Sequence, residues 1–334
     1  MSAESEPLTS RVATKNFPSY DRAYVDMKTV VDIICSKAIE SFQWINYVKS
    51  AEITQVLDFR NMFSKLSLEE GQHESVVISL TDTRETVLEK VVAGQISHIV
   101  RLAQFISGEP QEAVRHAYEY ILLDHLNHHR QFTNKLARKE GLSPMARADF
   151  VSSGGRDFAK QLIGFKEALK TPYDMTTASP LTKVQIRLAL AQELHICHKH
   201  IGDIEFCDDG HLISIYRQAA LVDNLHVAML QSLIDPRESE LESMYLWELA
   251  EVASFEQALS GSSTSVEKPL AGILVEDRGH LDMLRSLPAT SSDISLLEMS
   301  KPWPVISSAE SVSEIVNRVS GPGGADHESE ALSG

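Results

Sequence analysis

The chain repeats part of its own sequence after 153 residues, and this repeat limits the fold more than any other feature does. The segment SLTDTRETVLE, Ser79 to Glu89, aligns with SLIDPRESELE, Ser232 to Glu242, with seven of eleven residues identical. At the same offset, Gln104, Ser107 and Gly108 match Gln257, Ser260 and Gly261. Two unrelated amphipathic helices would share their apolar spacing but not a D-x-R-E turn. We therefore interpret the chain as an internal duplication.

The residue pattern around the repeat is helical. Apolar residues recur at i, i+3, i+4 and i+7 in segments such as ETVLEKVVAGQISHIVRLAQFI, and no strand pair surrounds an Asn-Gly or Asp-Gly turn. The sequence predicts an all-α protein of two tandem four-helix bundles. We expect a polar N-terminal segment over 1–24, bundle 1 over 25–140, a linker over 141–180 in which a short helix could form, bundle 2 over 181–288, and a largely disordered C-terminal extension over 289–334.

Composition narrows the functional class. The 334 residues include 31 Lys and Arg against 47 Asp and Glu, and the net charge of −16 disfavours nucleic acid or an anionic membrane as a partner. Three cysteines without a CxxC pair indicate a reducing compartment, and we expect a cytoplasmic protein. We find neither a secretory signal nor an apolar run long enough to span a bilayer.

The 153-residue offset also relates residue types that bind metals. It pairs Glu40 with Glu193, Glu70 with Asp223, His73 with His226 and His98 with Glu251, and an offset shorter by one pairs Asp124 and His128 with Glu276 and His280. Residues three or four apart share one face of a helix, so acid and His can point together into a bundle centre. Four carboxylates and two imidazoles hold a pair of first-row metal ions in four-helix bundles, and this donor set suits iron or manganese.

Several neighbouring residues compete for these roles. Glu69 could replace Glu70, Glu248 could replace Glu251, His125 could replace Asp124, and Asp277 competes with Glu276. We expect His195, His198 and His200 to form an exposed or supporting face, and His125 and His129 to lie at the surface. Tyr20, Tyr24, Trp44, Tyr47 and Trp247 are expected to be packing or interface aromatics.

Three segments resemble a known superfamily. LEEGQHESVV, LVDNLHVAML and VEDRGHLDML are similar to the acid-x-x-His helices of the ferritin-like superfamily, which includes rubrerythrins, ferritins and di-iron oxygenases. The resemblance covers about residues 25–140 and 180–288 as motif order and spacing. It implies ferritin-like bundles and a dinuclear iron or manganese centre that reacts with dioxygen or peroxide.

The two halves match that pattern unequally. The second half carries all of it, in Glu193, Asp223, His226, Glu251, Glu276 or Asp277, and His280. The first half has His98 where the pattern has a carboxylate, so its site would combine Glu40, Glu70 and Asp124 with His73, His98 and His128. Less negative charge would favour another metal, one ion, or another redox potential. Either both halves are active and tuned differently, or one has become structural.

The resemblance suggests a metal-dependent oxidoreductase. Our first hypothesis is a non-haem di-iron or manganese-containing oxidase or oxygenase that acts on a small molecule. The second is a ferroxidase, an iron-handling protein or a peroxide scavenger, and the third is a metal-free helical scaffold. Three scattered cysteines cannot form a rubredoxin-like site, so the reductant is expected to be external. A homodimer is compatible with the sequence.

Overall fold

The structure is a computed structural model that describes residues 17–140, 169–260, 264–287 and 312–320. These residues form helices and loops without strands, as the sequence predicts. The helices are α1 (Met27–Ile53), α2 (Leu57–Ser79), α3 (Val87–Gly108), α4 (Glu112–Glu140), α5 (Pro180–Ile204), α6 (Gly210–Leu233), α7 (Glu240–Leu259), α8 (Thr264–Arg285) and α9 (Val312–Ser320). None of the helices in the described part of the chain has the length and apolar content needed to cross a bilayer.

The helix ends repeat one set of hydrogen bonds at the 153-residue offset. Thr86 and Ser239 each form a capping box, with Glu89 and Glu242 respectively, at the starts of α3 and α7. In the preceding turns, the side chains of Asp82 and Asp235 accept hydrogen bonds from the backbone and side chains of Arg84 and Arg237. Upstream, the amides of Tyr20 and Tyr173 donate to the carbonyls of Leu80 and Leu233 at 2.9 and 2.8 Å. The residues identical in sequence are thus those that build the turns.

The chain divides into two compact units, and each takes helices from both sequence halves. Unit 1 comprises Met1–Arg84 and Ser239–Lys301, and unit 2 comprises Glu85–Glu238 and Pro302–Gly334. In unit 1, α1 packs on α2 and α7, and α8 packs on α2 and α7. In unit 2, α3 packs on α4 and α5, and α6 packs on α4 and α5. The units therefore differ from the sequential domains expected over 25–140 and 181–288.

The short loop after α2 explains this exchange. The carbonyl of Leu80 accepts a hydrogen bond from the Tyr20 amide, so α2 ends beside the start of α1. The Lys28 ammonium donates to the carbonyls of Gln257 and Ala258, so α7 also ends beside the start of α1. Helix α7 is therefore parallel to α2. If α3, which follows α2 in the chain, took the place of α7 in unit 1, the loop between α2 and α3 would have to run the length of the bundle.

The loop cannot make that connection. Helix α2 is about 35 Å long, since each of its 23 residues rises by 1.5 Å. The seven residues from 80 to 86 reach at most about 25 Å when fully extended. Unit 2 is arranged in the same way, because Thr182 near the start of α5 donates to Glu109 at the end of α3. Each unit consequently takes its third and fourth helices from the other half.

The C-terminal region contains a helix where we expect a largely disordered extension. Ile315, Val316 and Val319 of α9 are buried, and α9 packs on α3 and α4. Val319 lies four residues after Ile315 and three after Val316, so it shares a helix face with both, and their burial offsets the cost of ordering this short segment. The short helix that we expect in the linker lies mainly in 141–168, outside the described residues, as do residues 1–16 of the N-terminal segment.

Candidate metal centres

The centre of unit 1 is lined by acids and histidines from all four helices. They are called cluster A, and all are buried: Glu40, Glu70, His73, Glu248, Glu251, Asp277 and His280. Helices α2, α7 and α8 each contribute two residues three positions apart, so that both side chains point to the same side of the helix.

The ligand atoms of cluster A form two groups that overlap. Glu40, Glu70, His73 and Asp277 each offer one atom within 4.8 Å of the others, and Glu70, Glu248 and His280 do the same. Glu70 belongs to both groups. A carboxylate has two oxygens and can contact two cations, so this arrangement suits a pair of ions with Glu70 between them.

The two histidine rings of cluster A are fixed from outside. The Nδ1 atom of His73 faces Asp277 at 3.3 Å, while its Nε2 lies 2.9 Å from Glu276. The Nδ1 atom of His280 likewise faces Glu70 at 2.8 Å, and its Nε2 lies 3.1 Å from Glu69. An Nε2–H that donates to an outer carboxylate leaves Nδ1 as the ligand atom.

Many buried oxygens of cluster A have no hydrogen-bond partner. Neither carboxylate oxygen accepts a hydrogen bond in Glu40, Glu70, Glu251 and Asp277, although Glu70 and Asp277 lie at ion-pair distance from His280 and His73. Burial and the negative charge of Glu70 raise the pKa of Glu40 and Glu251 well above the usual value, and they raise that of Glu248 to about 8. Burying so many unpaired carboxylates without cations or protons would cost several kcal/mol each, so the site requires positive charge.

One carboxylate and both imidazoles of cluster A favour their charged forms. Burial would raise the pKa of Glu70, but His280 and His73 together hold it well below the usual value. Burial would lower the pKa of both histidines, yet the neighbouring acids raise it above the ordinary value. Protons on the imidazoles thus partly replace a cation, and a metal ion would displace them.

Glu248 is held by two donors on α1. The Tyr47 hydroxyl and the Gln43 amide nitrogen both donate to its Oε1, the latter at 3.2 Å, while its Oε2 has no partner. Tyr47 is completely buried, so this contact fixes one oxygen of Glu248 and leaves the other for the centre.

Unit 2 holds a comparable cluster that is richer in histidine. Its buried members are called cluster B: His98, Asp124, His125, His128, Glu193, His200, Asp223 and His226. Here a single group of four, His125, Glu193, Asp223 and His226, offers ligand atoms within 4.8 Å of one another.

Imidazoles contact most carboxylate oxygens of cluster B. His125 lies 2.7 Å from Glu193, His226 lies 3.0 Å from Asp124, and His200 lies 2.8 Å from Asp223. Glu193 and Asp124 outweigh the effect of burial and raise the pKa of His226 to about 10. Burial lowers the pKa of His98 and His200 to about 3. Cluster B therefore combines a charged-pair region with neutral imidazoles.

The structure divides each predicted ligand set between the two units. Glu40, Glu70 and His73 lie in unit 1 with Glu251, Glu276, Asp277 and His280. His98, Asp124 and His128 lie in unit 2 with Glu193, Asp223 and His226. The expectation that Glu40, Glu70, Asp124, His73, His98 and His128 share one site therefore differs from the observed arrangement. The reason is the exchange of helix pairs imposed by the short loops.

The structure also locates the competing residues. Glu70 and Asp277 face the centre of cluster A, whereas Glu69 and Glu276 lie at its edge with side chains 16% and 18% exposed. Both Glu248 and Glu251 are inside.

Asp124 and His125 are both in cluster B, with His125 in the group of four and Asp124 at the outer nitrogen of His226. The ring of His98 lies 3.8 Å from Glu193, and that of His128 lies 3.5 Å from Asp223.

The sequence analysis did not predict the burial of some histidines or the contact that Tyr47 makes with a candidate ligand. His125, His129 and His200 are buried, although we expected an exposed or supporting position, whereas His198 is exposed as expected. Tyr47 contacts a candidate ligand. The offset could have found two of these residues, because Tyr47 and His200 lie 153 residues apart and occupy matching positions beside the clusters.

Comparison of the chain with protein-family models, characterised proteins and solved structures gave no match. The description of the clusters therefore rests on the chain's own geometry.

Proposed function

We propose that this chain is a non-haem dinuclear iron or manganese protein of the oxidase or oxygenase type, with cluster A holding the metal pair. The observation that carries the proposal is the set of buried carboxylate oxygens in cluster A that have no hydrogen-bond partner. Apolar surroundings would expel such a set unless cations were present.

The donors of cluster A fit hard or borderline first-row ions. Carboxylate oxygens and imidazole nitrogens suit iron and manganese, and the buried Cys35 of unit 1 is absent from the group. Glu40, Glu70, His73 and Asp277 would hold one ion, and Glu70, Glu248 and His280 would hold the other. Glu251 is fully buried nearby, and neither of its carboxylate oxygens has a hydrogen-bond partner, so it would complete the set.

Reduced iron or manganese pairs supply electrons to dioxygen or peroxide when bound in such sites. The chain's own residues would keep the centre ordered during this chemistry. Glu69 and Glu276 would hold the histidine rings at their outer nitrogens, and Tyr47 would hold Glu248 at one oxygen. The three cysteines are unpaired and scattered, so electrons would come from an external reductant.

An open pocket on the surface of α1 and α2 would be the entrance for a small organic substrate. It has a volume of 450 Å³ and is lined by Val48, Ala51, Glu52, Arg60, Ser64 and Ser67. Ser67 lies one helical turn before Glu70 on α2, which brings the cavity close to cluster A along the helix. Its volume is in the range of small-molecule sites.

A second candidate function is ferroxidase, iron-handling or peroxide-scavenging activity. The partly exposed carboxylates of Glu69 and Glu276 favour it, because acids between solvent and a buried centre could receive incoming cations. A metal-free scaffold is the third alternative, and the unpaired oxygens of cluster A argue against it.

The test is metal analysis followed by oxygen consumption. Protein produced with iron and manganese is expected to hold two such ions per chain, and His73→Gln is expected to lose the ion that His73 would bind. Faster dioxygen uptake by the reduced protein with an organic substrate would favour an oxygenase, and uptake driven by ferrous iron alone would favour a ferroxidase.

Glu74→Gln is the matched control. Glu74 follows His73 on α2 but bonds to Ser41, outside the cluster, so its loss should leave the metal content unchanged. Purified protein without iron or manganese after reconstitution would contradict the proposal.

A further inference from the structure

We propose that cluster B is a separate site for one divalent cation of the zinc class, bound by His125, Glu193, Asp223 and His226. This site goes beyond the metal pair of cluster A, since it lies in a different compact unit and uses other residues.

The number of ions follows from how the ligand atoms are grouped. Cluster A contains two groups that share Glu70, whereas cluster B contains one group of four. The ligand atoms of one tetrahedral ion lie about 3.4 Å apart, given bonds of about 2.1 Å. His226 Nδ1 lies 3.4 Å from Glu193 Oε2, and His125 Nε2 lies 2.7 Å from Glu193 Oε1. A small outward shift of these side chains would admit one ion.

The supporting hydrogen bonds already orient the ligands. The Nδ1–H of His125 donates to the Gln95 amide oxygen at 2.8 Å, so the Nε2 lone pair points to the centre. Asp124 contacts Nε2 of His226 at 3.0 Å and turns Nδ1 toward Glu193. Asp124 therefore holds the outer nitrogen of His226 in the same way that Glu276 holds the outer nitrogen of His73.

Two buried atoms around the group have no hydrogen-bond partner. They are Oδ1 of Asp223 and Nε2 of His98. His200 contacts the other oxygen of Asp223 at 2.8 Å, so Oδ1, which forms no hydrogen bond and has the His128 ring 3.5 Å away, is the oxygen that would bind a cation.

Charge and donor type select the ion. Two carboxylates in the group, Glu193 and Asp223, are balanced by one divalent cation, with two neutral imidazoles completing four donors. A set of two imidazole nitrogens and two carboxylate oxygens in a closed tetrahedral site suits zinc and its spectroscopic substitute cobalt. The full burial of all four residues matches a closed site more than one that exchanges substrates.

The experiment is a Co²⁺ titration of metal-free protein in the Glu70→Gln background, in which cluster A is disabled. We expect one Co²⁺ per chain, a visible absorption band of a four-coordinate ion, and its loss on addition of Zn²⁺. His125→Gln and His226→Gln should each weaken Co²⁺ binding by more than about 100-fold, because each removes a direct ligand.

His129→Gln is the matched control. His129 is buried on the same helix as His125, and its ring contacts Thr133 instead of cluster B, so the titration should be unchanged. Circular dichroism and thermal unfolding report whether each variant folds.

X-ray absorption of the zinc-loaded Glu70→Gln protein provides evidence that needs no variant of a cluster B ligand. Two imidazole and two oxygen ligands would support the site. Binding of no ion in the Glu70→Gln background, or binding that His125→Gln and His226→Gln leave unchanged, would overturn it. Because that background removes cluster A, failure here leaves the proposed metal pair untouched, and failure of the pair leaves this site untouched.

Discussion

Clusters A and B occupy equivalent positions of two similarly built units but differ in side-chain type at four of them. Where cluster A has Glu248, Glu251 and Asp277, the residues at the repeat offsets in unit 2 are Gln95, His98 and His125. Tyr47 beside cluster A corresponds to His200 in cluster B. Three acids are thus replaced by neutral or imidazole side chains, while Glu40 and Glu193, Glu70 and Asp223, and His73 and His226 keep their types.

This difference shows that two units with the same helix arrangement can bury carboxylates with different amounts of compensating positive charge. Cluster A leaves most of its carboxylate oxygens without hydrogen bonds, whereas most carboxylate oxygens of cluster B are contacted by imidazoles. The helix ends and turns are the same in both units. The two units therefore differ in their demand for cations, while the helix ends and turns that hold the ligands are alike.

The largest effect is expected from Glu70→Gln, because Glu70 belongs to both groups of cluster A. A neutral amide cannot join two cations, so iron or manganese bound to unit 1 should fall from two ions to none, with affinity reduced by more than about 100-fold. Elemental analysis with calorimetric titration measures the change. Retention of two ions would show that Glu70 does not bridge them, and Glu74→Gln again serves as the control.

The next largest effect is expected from converting cluster B toward cluster A. The triple variant Gln95→Glu, His98→Glu and His125→Asp restores three acids, so unit 2 should bind a second ion and prefer iron or manganese over zinc. Metal analysis in the Glu70→Gln background isolates unit 2. A variant that folds and still binds one ion would mean that ligand type alone does not set the stoichiometry.

The sequence could predict the candidate ligands better than it could predict which helices combine into each unit. Helical spacing and the repeat placed Glu70 with His73 and Asp223 with His226 on single faces, and all four are buried in clusters. The length of the loop over 80–86 can also be read from the sequence. Seven residues are too few to return along α2, which excludes a single bundle built from 25–140 in this arrangement.

Other features depend on tertiary packing that a sequence does not reveal. Glu276 and Asp277 are adjacent and chemically alike, and only the rotation of α8 decides that Asp277 faces the centre. His200 and His125 read as surface residues because their local sequences are polar, yet the packing of α5 and α4 buries them.

Metal-free protein should show opposite pH dependence in the two units between pH 4.5 and 6.5, below the range in which His226 titrates. Glu248 has a pKa of about 8 in the folded state against 4.5 as the usual value, so unit 1 holds more protons when folded and loses stability as the pH rises from 4.5 to 8. His98 and His200 have pKa values of about 3 against 6.5, so unit 2 gains stability as the pH rises from 3 to 6.5. Each proton contributes a slope of about 1.4 kcal/mol per pH unit.

Hydrogen exchange followed by mass spectrometry measures this difference, because peptides from α1 report unit 1 and peptides from α5 report unit 2. Bound iron or zinc should make the stability of both units rise with pH through the ligand titration range, since the metal displaces protons from the folded protein while the unfolded chain still takes them up. Parallel profiles in the metal-free protein would contradict the assigned protonation states.

A smaller effect is expected from the outer carboxylates. Glu69→Gln and Glu276→Gln keep a hydrogen-bond acceptor at Nε2 of His280 and His73 but remove its charge. Metal affinity of cluster A should fall by about 10-fold to 100-fold, with two ions still bound at saturation. Asp124→Asn should weaken cluster B similarly through His226, and it should leave cluster A unaffected.

The smallest effect is expected at the capping boxes that the repeat shares. Thr86→Ala and Ser239→Ala each remove a side-chain acceptor from an N3 amide, and each should lower the free energy of unfolding by about 1 kcal/mol. The two acceptor distances are both 3.2 Å, so the losses should be equal within about 0.5 kcal/mol. Chemical denaturation of the metal-free variants measures them. Unequal losses would mean that the repeated turns differ in energy as well as the clusters, and equal losses would confine the divergence of the two halves to the ligands they present.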